Sequence, residues 1–113
     1  MSDQAEQFRR EREALNERIL ARGDLNTKRF FALDSAVYGD GALDGKTKEL
    51  LGLVASLVLR CDDCIAYHVI RAREFGVTDP EFDEVMSIGL VVGGSITIPH
   101  IRRATRLWEE MNS

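Results

Sequence analysis

Apolar residues recur along this chain at steps of three and four, the spacing of helices with one buried face. Glycine, aspartate and proline divide the pattern into six segments. The first is predicted over about Asp3 to Ala21, where Phe8, Leu15 and Ile19 fall at helical spacing among charges, and Gly23 stops it. Its apolar stripe is thin, which suits an arm packed against another subunit. The second is predicted over Leu25 to Tyr38, with Phe30, Phe31, Leu33, Ala36 and Val37 as its apolar positions. Gly39-Asp40-Gly41 then makes a turn, since glycine tolerates positive φ.

The third segment starts after Asp44, an N-cap, and runs to about Arg60. Between Leu50 and Leu59 only Gly52 and Ser56 interrupt the apolar run, so this helix is expected to be buried nearly all round, in the core or in a subunit interface. The fourth opens at Cys61-Asp62-Asp63-Cys64 and ends at Gly76, a C′ glycine. The fifth opens at Asp79, with Pro80 in the first helical position, and runs to about Val92. The last runs from about Pro99 to Met111. No segment has the alternation of a strand, so the fold class is all-α: a compact, oligomeric bundle of about six helices forming one domain over residues 1–113.

Composition narrows the functions. Of 113 residues, 44% are hydrophobic and 30% charged, an ordinary globular balance, and two prolines leave the helices uninterrupted. A net charge of −4 with scattered basic residues argues against nucleic acid as a partner. The first fourteen residues are dense in charge, which gives no secretory signal. The longest apolar stretch, Val85 to Ile101, is broken by Gly93, Gly94, Ser95 and Pro99 and falls short of the about 20 residues that cross a bilayer, so no membrane partner is expected. Two close cysteines in such a chain suit the reducing cytoplasm, where the pair is more often catalytic or metal-binding than structural.

The chemistry falls on the fourth segment. Residues 61, 64, 65, 68, 72 and 75 share one face at three- and four-residue steps, which puts Cys61, Cys64 and His68 on the predicted inward stripe with Ile65, Ala72 and Phe75. At a reference pKa near 8.5, roughly 3% of a thiol is ionised at pH 7; a helix N-terminus and a neighbouring His raise that fraction. Asp62 and Asp63 oppose it. Once one thiol is oxidised to sulfenic acid, the other stands ready to close a disulfide. Two alternatives stay open beside this one. Cys61, Cys64, His68 and an acid could hold zinc, although no second Cys/His pair completes the usual set. The cysteines could also be inert and buried. Haem attachment would need His where Ile65 stands, and a thioredoxin fold would need strands. His100, after Pro99, reads as a surface or capping residue, and Tyr67 and Trp108 as packing residues.

The run Lys46-Thr47-Lys48-Glu49-Leu50-Leu51, followed by Arg60-Cys61-Asp62-Asp63-Cys64-Ile65-Ala66-Tyr67-His68, resembles the signature of the alkylhydroperoxidase AhpD-like (carboxymuconolactone decarboxylase) family. That signature is Glu, eleven residues, Cys, two, Cys, three, His, and Glu49, Cys61, Cys64 and His68 match it. The similarity continues through Ala72, Gly76, the acidic start of the fifth helix and Gly93-Gly94, covering about Phe30 to Arg103. The resemblance implies an all-helical subunit in trimers or hexamers, with Glu49 and His68 as a proton relay, Cys64 as the attacking thiol and Cys61 as the resolving one. It implies a thiol-dependent peroxidase or disulfide oxidoreductase that takes a hydroperoxide and an external dithiol reductant protein, with no cofactor and no metal. One departure stands out: the best-known peroxidase members carry His where this chain has Asp63. Two other functions remain: a lactone or keto-acid decarboxylase or isomerase using Glu49 and His68 without the thiols, and a non-enzymatic redox-sensing oligomer. The family's true lactone decarboxylases generally lack the cysteine pair.

Helical rise sets one condition on the relay. In an antiparallel hairpin, Glu49 lies about 18 Å from the turn and His68 about 10 Å. A water, an oblique crossing or a break in the third helix is expected to close the remaining roughly 8 Å. On its own, Glu49 reads as an acid favoured by the dipole in a helix's first turn.

Overall fold

The computed structural model describes residues 3–111, and six α-helices account for most of them. They are α1 (Asp3–Arg22), α2 (Leu25–Val37), α3 (Gly45–Leu59), α4 (Asp62–Glu74), α5 (Asp79–Gly93) and α6 (Ile98–Glu110), with a 3₁₀ turn at Ser95–Thr97 before the last. No strand occurs among the described residues. Asp24 and Asp44 accept from the backbone N–H of Thr27 and Thr47, so each caps the start of its helix. The start of α5 differs from expectation by one residue: Thr78 is the N-cap, and Glu81 returns a bond to its backbone, forming a capping box. Gly76, at φ +78°, closes α4 with its own N–H on Arg73 and the next N–H, that of Val77, on Ala72.

The core lies where α3, α4, α5 and α6 meet. Leu53 and Leu57 of α3, Ile65, Val69 and Ala72 of α4, and Phe82 and Met86 of α5 are buried there with Leu107 and Trp108 of α6. Trp108 stacks on Phe82 at 4.5 Å and donates its indole N–H to Asp79 at 2.7 Å, which ties α6 to the start of α5. Gly89 makes the crossing of α5 on α3 close, because a Cβ there would run into the Leu57 side chain.

One expectation about burial is corrected within the subunit. The third helix is not buried all round: Glu49, Leu53, Ser56 and Leu57 face inward, while Leu51 and Leu59 are exposed. The second helix buries no residue at all, and its Phe30 is 67% exposed. A helix lying off the core widens the molecule. The radius of gyration is 14.6 Å, above the about 13 Å of a compact chain this long.

Candidate functional site

The turn between α3 and α4 builds the dithiol end of the site. Arg60 takes left-handed backbone angles (φ +60°, ψ +41°), a conformation costing a non-glycine residue about 1–2 kcal/mol. This reverses the chain in one residue. The N–H of Cys61 then bonds the Ser56 carbonyl at 3.1 Å, and Cys61 becomes the N-cap of α4. Its sulfur accepts from the Cys64 backbone N–H at 3.2 Å. Cys61 and Cys64 form a disulfide, with Cα atoms 5.3 Å apart. The shared inward stripe is corrected here. Ile65, His68 and Ala72 are buried, but Cys64 and Phe75 are exposed and Cys61 is half-buried. A helical wheel fixes direction without cover, and the first turn of α4 stands at the rim of the hairpin.

His68 lies one turn further along α4 and is buried. Its Nδ1 is 2.8 Å from Oε1 of Glu49, which is only 1% exposed. The expected gap along the helix axes is closed with α3 unbroken. By helical rise Gly52 lies nearer the level of His68 than Glu49 does, and without a Cβ it lets the ring lie against α3: a Cβ there would stand 2.8 Å from Cε1 and 2.9 Å from Nε2. Glu49, three residues earlier on the same face, reaches the ring with its own side chain. The first-turn explanation of Glu49 therefore fails. Its carboxylate is in the core, where an unpaired charge would be strongly destabilising. Arg71 of α4 adds a second partner, with Nε 3.6 Å from Glu49 Oε2.

A carboxylate accepts hydrogen bonds, so the contact with Glu49 suits a ring that carries its proton on Nδ1 and turns Nε2 towards the Tyr38 hydroxyl. The structure thus brings the four expected residues together as two pairs, Glu49 with His68 and Cys61 with Cys64. Among the described residues, no hydrogen bond joins His68 to either sulfur.

Other residues at the site have no local sequence signal. The Tyr38 hydroxyl, from the end of α2, is 3.5 Å from His68 Nε2, and the Tyr67 ring packs edge-on to His68 at 5.2 Å. Tyr38, Glu49, Tyr67 and Arg71 line a cavity of about 330 Å³. His100 is more than a capping residue. Its Nδ1 lies 2.6 Å from Asp62 Oδ1, and Arg103 reaches Asp62 Oδ2 at 3.0 Å, so α6 grips the first turn of α4. Partial burial pushes the Asp62 carboxyl up, but the bonds from His100 and Arg103 outweigh it and hold it below the usual carboxylate range. Among the described residues, no group of three or more His, Cys, Asp or Glu is arranged to hold a metal ion, and no helix is long and apolar enough to cross a membrane.

Comparison with known proteins gives the chain a family and a fold. Residues 24–107 match the carboxymuconolactone decarboxylase family. Protein 4 of the cox locus of Paracoccus denitrificans is 31% identical over 83 residues, covering 74% of this chain and 75% of its own. A crystal structure of a Thermotoga maritima protein superposes with a TM-score of 0.92 at 61% identity, over 94% of this chain and 93% of that one. A second, at TM-score 0.90 and 60% identity over 94% and 90%, is of a carboxymuconolactone decarboxylase family protein for which a part in the antioxidative response has been suggested. A Legionella pneumophila member of the family shares the fold at TM-score 0.87 and 24% identity, over 99% of this chain and 100% of that one. The matched region holds both the Glu49–His68 pair and the Cys61–Cys64 disulfide, and the chain belongs to the carboxymuconolactone decarboxylase family.

Proposed function

We propose that this chain is a dithiol peroxidase and disulfide oxidoreductase in which Cys64 attacks, Cys61 resolves, and Glu49 and His68 move the proton. The observation that carries this reading is a disulfide capping α4 one turn before a histidine that is backed by a buried carboxylate. Cys64 is the more exposed residue of the pair, which suits it to meet a hydroperoxide. Its thiolate attacks one peroxide oxygen, the O–O bond breaks, the alkoxide leaves as the alcohol, and Cys64 becomes the sulfenic acid. Cys61 then attacks the Cys64 sulfur; hydroxide leaves and is protonated to water, and the disulfide forms. An external dithiol protein attacks the Cys64 sulfur and departs oxidised, which returns the pair to thiols. Cys61 is suited to leave in that step, because the Cys64 N–H and the helix N-terminus stabilise its thiolate.

In this account His68 takes the thiol proton at Nε2 and returns it to the leaving alkoxide. Glu49 holds the tautomer and offsets the charge of the imidazolium. No cofactor takes part. The test is mass spectrometry of the reduced protein after stoichiometric hydroperoxide. The expected result is loss of two hydrogens across Cys61 and Cys64. Sulfinic acid on one cysteine with no disulfide would overturn the resolving role. Decarboxylation of a lactone-like acid that survives loss of both thiols would transfer the function to Glu49 and His68 alone.

A further inference from the structure

We infer that Tyr38 is the third member of the Glu49–His68 site, a positioning residue whose phenol holds Nε2 of the imidazole in both of its protonation states. This rests on the reading of His68 as the group that moves the thiol proton. Tyr38 is the C-cap of α2, a helix with no buried residue, yet its own ring is half-buried. The ring lies 5.4 Å from that of His68, tilted by 39°, with the hydroxyl 3.5 Å from Nε2. That distance is long for a hydrogen bond, as such bonds often are before substrate binds.

Two features of α3 set this arrangement. Lys48 donates from Nζ to the carbonyls of Val37 at 2.8 Å and Gly39 at 2.6 Å, on either side of Tyr38. A backbone held at both neighbours fixes where the side chain starts. Gly52 then leaves room where the side chain ends. A Cβ at position 52 would stand 2.6 Å from the Tyr38 hydroxyl and 2.9 Å from Nε2. Glycine in the middle of a helix is unfavourable relative to alanine, and here the space it leaves is the meeting point of phenol and imidazole.

The chemistry needs a group of this kind. Glu49 serves Nδ1, so Nε2 must be held by something that accepts a proton contact at one stage and donates one at another. A phenol does both in turn: its O–H donates to neutral Nε2 in the resting site, turns away when the thiol takes its place at the single lone pair, and its oxygen accepts from Nε2–H once the ring is charged. Among the described residues, Glu49 from α3 and the Tyr67 ring from α4 also face His68, and Arg71 pairs with the Glu49 carboxylate. Burial, followed by the charges of Glu49, Asp34 and Tyr67, raises the Tyr38 pKa, so the phenol keeps its proton across the working range.

The test compares wild type with Tyr38→Phe, and with 3-fluorotyrosine placed at position 38, which keeps the shape but strengthens the O–H as a donor. Two readouts are taken: the rate at which hydroperoxide closes the disulfide, and the ¹⁵N resonances of His68, assigned in a His100→Gln background. Tyr38→Phe is expected to slow oxidation by about tenfold, the scale of one lost hydrogen bond, and to move the Nε2 resonance. The fluorinated residue is expected to move both readouts with the fold intact. Lys48→Met is expected to reproduce part of the loss. An unchanged Nε2 resonance with a rate within twofold of wild type, in both Tyr38 variants, would overturn the inference. If the wild type itself forms no disulfide with hydroperoxide, the proposed function fails, and the resonance alone decides the place of Tyr38.

Discussion

The Nδ1 atom of His68 lies 2.8 Å from Oε1 of Glu49, and both side chains are buried between α3 and α4. A buried carboxylate is costly unless paired, and one placed on Nδ1 of an imidazole favours the proton on that nitrogen. This pair is therefore too specific to be a by-product of core packing. Its removal has distinct consequences for activity and for stability.

Glu49→Gln keeps the shape but loses the charge and can present an N–H to the ring, which favours the wrong tautomer. Peroxide-dependent disulfide formation is expected to fall by about 10²–10⁴-fold, the scale of a positioned acid–base group. His68→Gln is expected to cost as much, and the double variant no more than either alone, because the two act as one unit. Additive losses in single-turnover kinetics would show that they act separately.

Gly52→Ala separates activity from stability. Alanine gains about 1 kcal/mol of helix propensity, while crowding a packed site costs about 1–3 kcal/mol. The two nearly cancel, so chemical denaturation should change by no more than about 2 kcal/mol. The added methyl nevertheless falls on the His68 ring and the Tyr38 hydroxyl, and turnover should drop by at least about tenfold. Full activity in a stably folded Gly52→Ala would show that the close approach is incidental.

The residues around the site differ in how far the sequence revealed them. Glu49, Cys61, Cys64 and His68 were legible because their joint spacing is rare and three of them share one helix. The contact between Glu49 and His68 was harder to foresee, because helical rise alone leaves a gap that only Gly52 explains, and Gly52 appeared merely as a break in an apolar run. Tyr38 and His100 were not legible as site residues. Each meets its partner across 30 or more residues of sequence, where no periodicity operates. The exposure of Cys64 was missed for a related reason: apolar spacing gives a face but does not say what covers it.

The clamp on Asp62 predicts behaviour in acid. Its carboxyl is held below the usual range, so the folded state binds that proton less readily than the unfolded chain does. The clamp's contribution is present above the unfolded value of about 4 and is lost as pH falls through the lower folded value. Asp62 is half exposed, so the effect is at most about 1 kcal/mol. Thermal unfolding of Asp62→Asn should lie a few degrees below wild type at pH 6, and the difference should shrink towards pH 3. A constant difference across that range would show that charge plays no part.

Exposed apolar surface predicts assembly. Phe30, Leu33 and Val37 of α2 lie open, as do Leu59 at the end of α3 and Val91, 84% exposed, in α5. Phe30, Leu33 and Val37 share one helix face, and contiguous exposed apolar surface marks protein contacts. Light scattering at micromolar concentration is expected to give a trimer or hexamer, and Leu33→Asp with Val91→Asp to reduce it. A monodisperse wild-type monomer would contradict the assembly and leave α2 without a partner surface.

The central claim is that Cys61 and Cys64 turn over hydroperoxide through a disulfide. It is tested most directly by steady-state hydroperoxide consumption in the presence of a regenerating dithiol, comparing wild type with Cys64→Ser. The account predicts many turnovers per chain for wild type and only the uncatalysed background for Cys64→Ser. Equal consumption by both proteins, or a wild type that stops after a single equivalent despite excess reductant, would contradict it.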